Sequence, residues 1–335
     1  MDSVDTEVLK SAVTWLAAGR RATLATVVKT WGSAPRPIGA MLAIRDDGQV
    51  TGSVSGGCIE DDLIARVRSH DLGGDKPEVV TYGVTKEQAE RFGLPCGGTL
   101  QIVLEPLSDR SGLNALLDTV ERHELVARTL DIDSGKSALA PAKWSDVLEF
   151  DGAVLKTIHG PRWRLLIIGA GQLSGYLAQM AQALDYQVTV CDPREEYAEG
   201  WSVPGAELDR GMPDDVVLAL NMDAHTAVVA VTHDPKLDDM ALLEALKSPA
   251  FYVGAIGSKL NNDKRRKRLA EFDLSAAEIA RLRGPVGLPI GSRTPPEIAV
   301  SVLAEMTAVR RGVVLAAVGG PAAPATAPAD PLACS

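Results

Sequence analysis

RLLIIGAGQLSGYLAQMAQALDYQVTVCDPR, residues Arg164–Arg194, decides the fold. Leu165–Ile168 is a short continuous apolar run, the pattern of a central parallel strand covered on both faces. It leads into Gly169-Ala170-Gly171, where neither glycine carries a Cβ to block the close approach of a phosphate. Leu173, Leu177, Met180, Ala181 and Leu184 then recur at helical spacing, and Gln187–Cys191 reads as a second strand. Asp192 stands at its carboxyl end, 23 residues after Gly169. Strand, glycine turn, helix, strand and acid in this order form the dinucleotide-binding βαβ fingerprint, with Asp192 expected to accept hydrogen bonds from ribose hydroxyls. The third glycine of the fingerprint is replaced by Ser174, a small residue that a helix–strand contact tolerates.

Toward the C-terminus the alternation continues. Thr226–Val231 is a buried strand running into Thr232-His233-Asp234-Pro235, Leu237–Lys247 a helix, and Ala250–Ile256 a strand ending in Gly257-Ser258. Such alternation predicts a Rossmann-like, doubly wound parallel sheet over residues 161–312, in an α/β protein. The helix Asn261–Phe272 carries Lys264, Arg265, Arg266, Lys267 and Arg268, which read as a solvated face or, alternatively, as a contact for a phosphate or acidic partner. Ser275 with Glu278 caps another helix. Thr294-Pro295-Pro296-Glu297 opens one that runs to Arg311, with Ile298, Val302, Met306 and Val309 inward. Residues 313–335 form an Ala/Pro/Gly tail without periodicity, expected to be disordered.

Toward the N-terminus, residues 1–107 read as an α+β domain. Val4, Val8, Leu9, Ala12, Trp15 and Leu16 make one helical stripe, and Thr23–Lys29 is β-branched enough for a strand. Ala40–Arg45 and Gln49–Gly52 form a hairpin about Asp46-Asp47-Gly48. Gly52-Ser53-Val54-Ser55-Gly56-Gly57-Cys58-Ile59-Glu60 then delivers a cysteine to a helix start. Free backbone N–H groups there would favour an anion, and thiolate over thiol, at Cys58. The alternative is a tight turn holding a small buried cysteine. Pro77–Tyr82 is a further strand, Thr85 with Gln88 opens a short helix, and Cys96-Gly97-Gly98 forms a second Cys-Gly loop before the strand Thr99–Leu104. Residues 108–160 give a thin signal and read as a connecting region that lends strands to either domain.

The chain has 335 residues, enough for two cores. A formal charge of -10 argues against nucleic acid as a partner. Cys58, Cys96, Cys191 and Cys334 are too widely spaced for a disulfide framework or a CxxC zinc pair. The opening MDSVDTEVLK lacks a signal-peptide pattern, and no run of about 18 apolar residues is present to span a membrane. A soluble, cytoplasmic protein is the expectation.

Six stretches together resemble the xanthine dehydrogenase accessory protein family (XdhC/CoxI). They are GSVSGGCIEDDL (Gly52–Leu63), GLPCGGTLQIVLEPL (Gly93–Leu107), the fingerprint unit, THDPKLDD (Thr232–Asp239), GAIGS (Gly254–Ser258) and PIGSRTPPEIAVSVLAE (Pro289–Glu305). CDPREEY (Cys191–Tyr197) and SPAFYVGA (Ser248–Ala255) look closest to the subfamily serving aldehyde oxidoreductases. Gln172 and Ser174 depart from the histidine and glycine usual in the family's loop. The resemblance implies a chaperone that binds the molybdenum cofactor, promotes or protects its sulfurated form and inserts it into a molybdenum hydroxylase. The cargo expected is molybdopterin cytosine dinucleotide. Its pyrophosphate and ribose would fall to Gly169, Gly171, Gln172, Ser174 and Asp192, with His233 beside them. Gly56, Gly57, Cys58, Cys96 and Gly97 would face the molybdenum end, with Cys58 as the candidate metal ligand. Implied partners are the molybdenum subunit of an aldehyde oxidoreductase or xanthine dehydrogenase, a cysteine desulfurase, a molybdenum cofactor cytidylyltransferase and a second copy in a homodimer. Two other classes compete: an NAD-dependent oxidoreductase, and a Rossmann-like scaffold that binds only protein.

Overall fold

Val8, Leu9, Ala12 and Trp15 share one face of α1 (Val4–Ala17), and all four are buried against the first sheet. That sheet contains β1 (Ala22–Trp31), β2 (Met41–Arg45), β3 (Val50–Gly52), β4 (Glu78–Tyr82) and β5 (Thr99–Pro106), in the order β3-β2-β1-β5-β4 with antiparallel neighbours. Central β1 is buried continuously from Ala22 to Val28 because both of its faces are covered. On one face lie Ile59, Leu63 and Val67 of α2 (Cys58–Arg68); on the other lie α1 and α3 (Leu113–Glu121). The structure, a computed structural model, describes residues 4–31, 36–72, 74–83, 99–122, 124–272 and 274–313. The short helix expected after Thr85 and the C-terminal tail lie outside that range.

The region expected to lend strands to its neighbours instead makes its own antiparallel sheet. Its strands β6 (Val126–Asp131), β7 (Ser137–Pro141), β8 (Glu149–Phe150) and β9 (Val154–His159) are ordered β7-β6-β9-β8. Leu130 and Leu155 pack on Val28 and Val103, so this sheet is layered on the first one. Arg128 of β6 reaches across to Glu105 of β5 at 2.5 Å, with both side chains 3% exposed. A buried pair of this kind fixes the register of the two layers, because separating its members strands a charge in an apolar interior.

The C-terminal domain is the doubly wound sheet that the sequence predicts. Its strands are β10 (Trp163–Ile168), β11 (Tyr186–Cys191), β12 (Ala206–Asp209), β13 (Thr226–Ala230), β14 (Tyr252–Ala255) and β15 (Leu282–Arg283). All neighbours are parallel, in the order β12-β11-β10-β13-β14-β15. One face buries Leu177, Ala178 and Ala181 of α4 (Gln172–Gln182) and Val302 and Met306 of α10 (Pro295–Arg310). The opposite face buries Val216 and Val217 of α6 (Pro213–Ala219), Leu242 and Leu246 of α7 (Pro235–Lys247) and Leu269 of α8 (Lys259–Ala270). Two short helices, α5 (Glu195–Ala198) and α9 (Ala276–Ala280), complete the domain. The chain reverses direction across the sheet between β10 and β13, and a ligand crevice opens at that switch point, outside the strands' carboxyl ends.

Candidate functional site

The turn after β10 is shaped by Gly169. Its φ of +109° is open only to glycine, and a Cβ there would lie 3.1 Å from the Cα of Thr232 on the neighbouring strand's loop. Gly171 differs: a Cβ would meet nothing within 4 Å, so the turn faces open space at this point. Gly171 is also the N-cap of α4 and provides no side-chain cap. The first amides of an eleven-residue helix thus point outward without a side-chain acceptor, the arrangement that receives a phosphate. Gln172 is exposed beside them. Ser174 is 1% exposed, and its buried hydroxyl has no hydrogen-bond partner among the described residues.

Asp192 stands at the end of β11 as expected, but its contacts differ from those of a ribose reader. It is completely buried. Oδ2 accepts from the Ala170 amide at 2.8 Å and from Arg194 Nη2 at 2.8 Å. Oδ1 accepts from the Arg194 amide at 3.1 Å and from Arg194 Nε at 2.9 Å. A carboxylate has about four acceptor positions, and four donors fill them here. Burial pushes its pKa up, while Arg194 and Ala170 outweigh burial and hold it below the usual carboxylate range. The direct ribose contact expected of Asp192 therefore gives way to a different role, pinning the glycine turn to the end of β11. Arg194 lies over the Tyr197 ring, 3.9 Å from its centroid.

Across the crevice, His233 is exposed and adopts a left-handed conformation (φ 61°), uncommon for a residue with a side chain. Its loop is held rigidly. Thr232 donates its amide (3.2 Å) and hydroxyl (2.7 Å) to Asp238 Oδ1, and the Asp234 side chain caps α7. The basic helix expected at the surface contributes to the same scaffold. Arg265 is 6% exposed and donates to Asp238, Asp239, Asn262 and the Ile256 carbonyl. Arg266 donates to the carbonyls of Leu282 and Gly284, and Arg268 to Asp239. Only Lys264 and Lys267 of that run are exposed, so the solvated-face reading holds for them and neither reading fits Arg265.

The N-terminal loop also departs from expectation. The backbone amides of Val54, Ser55, Gly56 and Gly57 all donate to the Glu60 carboxylate, at 2.7–3.0 Å. The Ser53 and Ser55 hydroxyls donate to it as well. Burial pushes the Glu60 pKa up, but these donors outweigh burial and hold it at about 2. The N–H groups read as free for a ligand are thus already on an anion, and that anion is the chain's own. Glu60 in this way places the chain's own negative charge at the start of α2. Gly56 and Gly57 still face open space on their Cβ side. The Cys58 side chain, Cys96 and Gly97 lie outside what the structure describes. Cys191 is buried, its thiol pushed up to about 12 by burial and by Asp209, Asp192 and Asp214, which suits packing and not reactivity. Among the described residues no group of three or more His, Cys, Asp or Glu is placed to hold a metal ion. Likewise no helix among them is long and apolar enough to cross a membrane.

Residues 165–306 match the family model described as the XdhC Rossmann domain, and residues 15–83 match that of the XdhC and CoxI family. The chain belongs to the XdhC/CoxI family. This XdhC/CoxI member is similar to the molybdenum cofactor insertion chaperone PaoD of Escherichia coli K12, with 29% identity over 90% of this chain and 88% of that protein. A protein of Bacillus subtilis 168 described as a probable xanthine dehydrogenase subunit is 27% identical over 87% of this chain and 94% of that one. The crystal structure of a xanthine dehydrogenase from Bacillus halodurans superposes with a TM-score of 0.69 at 25% identity, over 96% of this chain and 98% of that one.

Two residues of the sites escaped the sequence reading. Glu60 carried a signal: it stands three residues after the glycine before the helix, the capping-glutamate position. Arg194 carried a weaker one, since an arginine near the fingerprint acid is an alternative reader of the nucleoside end.

Proposed function

We propose that this chain binds a dinucleotide form of the molybdenum cofactor and delivers it to a molybdenum hydroxylase, acting in maturation and not in catalysis. The observation that carries this reading is the open Gly171 turn with its uncapped helix at the switch point, in a member of the XdhC/CoxI family. Such a turn suits a pyrophosphate, and molybdopterin cytosine dinucleotide contains one. The amides at Gly171, Gln172 and Ser174 would hold the phosphates, with Arg194 at the nucleoside end and His233 on the far wall. The cargo brings a dithiolene-held molybdenum whose terminal sulfur ligand must be in place before delivery. Cys58, with Cys96 and Gly97, is assigned to that end, Cys58 as the metal ligand. A cysteine desulfurase, the cytidylyltransferase that makes the dinucleotide, the molybdenum subunit of an aldehyde oxidoreductase or xanthine dehydrogenase, and a second copy of the chain complete the proposed set of partners.

The NAD-dependent alternative depends on Asp192 reading a free ribose diol, and four internal donors fill that carboxylate. The deciding experiment is extraction of the nucleotide carried by protein purified from a molybdate-fed host. Pterin together with CMP supports the proposal; NAD, or an empty protein that also fails to activate an apo-hydroxylase, overturns it.

A further inference from the structure

Arg194 sits at the mouth of the switch-point crevice with its donors only partly used. Nε and Nη2 each give one N–H to Asp192. A guanidinium has five N–H donors in a planar fork. The remaining three, two on Nη1 and one on Nη2, have no partner among the described residues. The group is fixed from two sides, by buried Asp192 and by the Tyr197 ring beneath it. Its side chain is nonetheless 22% exposed. Asp192 also holds the Ala170 amide, so this edge is tied to the glycine turn. The Asp234 carboxylate across the crevice adds to the field at Arg194 without bonding it.

Resting on the dinucleotide reading above, we infer that Arg194 is the specificity-determining residue at the nucleoside end, selecting a ligand group that presents paired acceptors. A guanidinium offers donors and no acceptor, so it leaves unpaired the amino group of an adenine edge and the hydroxyl hydrogens of a ribose diol. It matches two neighbouring acceptors, because the fork gives parallel N–H bonds to both. Two sources of that chemistry fit a nucleotide: the adjacent O2 and N3 of a cytosine ring, and a phosphate on the ribose. Tyr197, 41% exposed, supplies an aromatic face beside either.

The test is titration calorimetry of the full chain with three probes: CDP, ADP and adenosine 2′,5′-bisphosphate. The wild type is expected to bind at least one acceptor-bearing probe about tenfold or more tighter than ADP. A preference for CDP identifies the base as the source, and a preference for the bisphosphate identifies the ribose phosphate. Arg194→Ala removes the fork and frees two acceptor positions on Asp192, so the preference should vanish while ADP binds several-fold tighter than before. A merely structural role would weaken all three probes together and would not strengthen ADP while abolishing the preference. Arg194→Gln, which lacks the fork but carries an amide nitrogen about where Nε now donates to Asp192, gives the same readout should the alanine variant fail to fold. Equal binding of all three probes by the wild type, or a preference surviving in either variant, overturns the assignment. Gly171→Asp separates the two claims by setting a carboxylate where phosphates would sit. If it leaves affinities and preference intact, the pyrophosphate placement falls while Arg194 stands. If no probe binds the wild type, both fall.

Discussion

Arg265 Nη2 donates to the Asp238 carboxylate at 2.8 Å, with the two side chains 7% and 0% exposed. Asp238 also accepts from Thr232, so this pair ties α8 to the loop that carries His233. Removing one member leaves the other buried and uncompensated, which costs about 3–5 kcal/mol. Arg265→Ala is therefore expected to lower the urea midpoint sharply or to prevent folding. The double variant Lys264→Ala and Lys267→Ala, altering exposed neighbours on the same helix, should unfold as wild type does. Equal midpoints for Arg265→Ala and the wild type would mean that the buried pair does not hold α8 to this loop.

Glu60 leads to a pH prediction. Its folded pKa of about 2 lies below the ordinary value of 4.5, so the unfolded chain binds the proton first as the pH falls. The stabilisation is fully present above 4.5 and is lost as the pH drops toward 2. Glu60→Gln removes the charge that four amides and two hydroxyls share, and should cost roughly 2–3 kcal/mol at neutral pH. Urea unfolding at pH 7 and pH 3 checks this: the gap between variant and wild type should narrow at the lower pH. A gap independent of pH would mean that the nest around Glu60 is not electrostatic.

The C-terminal fold was legible because its signals are local and redundant: Leu165–Ile168, the glycine turn, the stripe of α4 and the strand ending at Cys191 agree in order and spacing. Residues 108–160 were not legible as a separate sheet. No residue of β7 is fully buried, and β8 has only two residues, too short for periodicity. The functional loops failed for a different reason. Sequence spacing placed Asp192 and the Ser53–Gly57 loop correctly along the chain, but it does not tell which group satisfies a donor or acceptor. Arg194 and Glu60, each within a few residues of the groups they satisfy, provided that internal partner.

Asp5 bears on the seam between α1 and the start of the Rossmann-like domain. It lines a cavity of about 400 Å³ with Lys10, Arg162, Asp185 and Tyr186. Burial pushes its pKa from 3.8 to about 6, Asp185 adds to the rise and Arg162 opposes it. For an acid raised in the folded state, stability is fully present below the unfolded value and is lost as the pH rises through the folded one. Asp5→Asn should therefore raise the melting temperature by a few degrees at pH 7.5 and leave it unchanged near pH 3.5. No pH dependence of the difference would place Asp5 in water and not in the seam.

Gly169 and Gly171 separate folding from ligand binding within one turn. Alanine at Gly169 would meet both a left-handed backbone (φ +109°) and the Thr232 backbone at 3.1 Å, neither of which can yield without moving β13. Gly169→Ala is expected to cost about 2 kcal/mol or more, read as a lower melting temperature. Alanine at Gly171 meets open space and an ordinary backbone, so stability should stay within about 1 kcal/mol of wild type. Its methyl group would occupy the room left for a phosphate, and cofactor content after purification should fall about tenfold or more. If Gly171→Ala keeps both its stability and its cofactor, the open face of the turn is not where the cargo's phosphates rest. The delivery role would then need a different crevice.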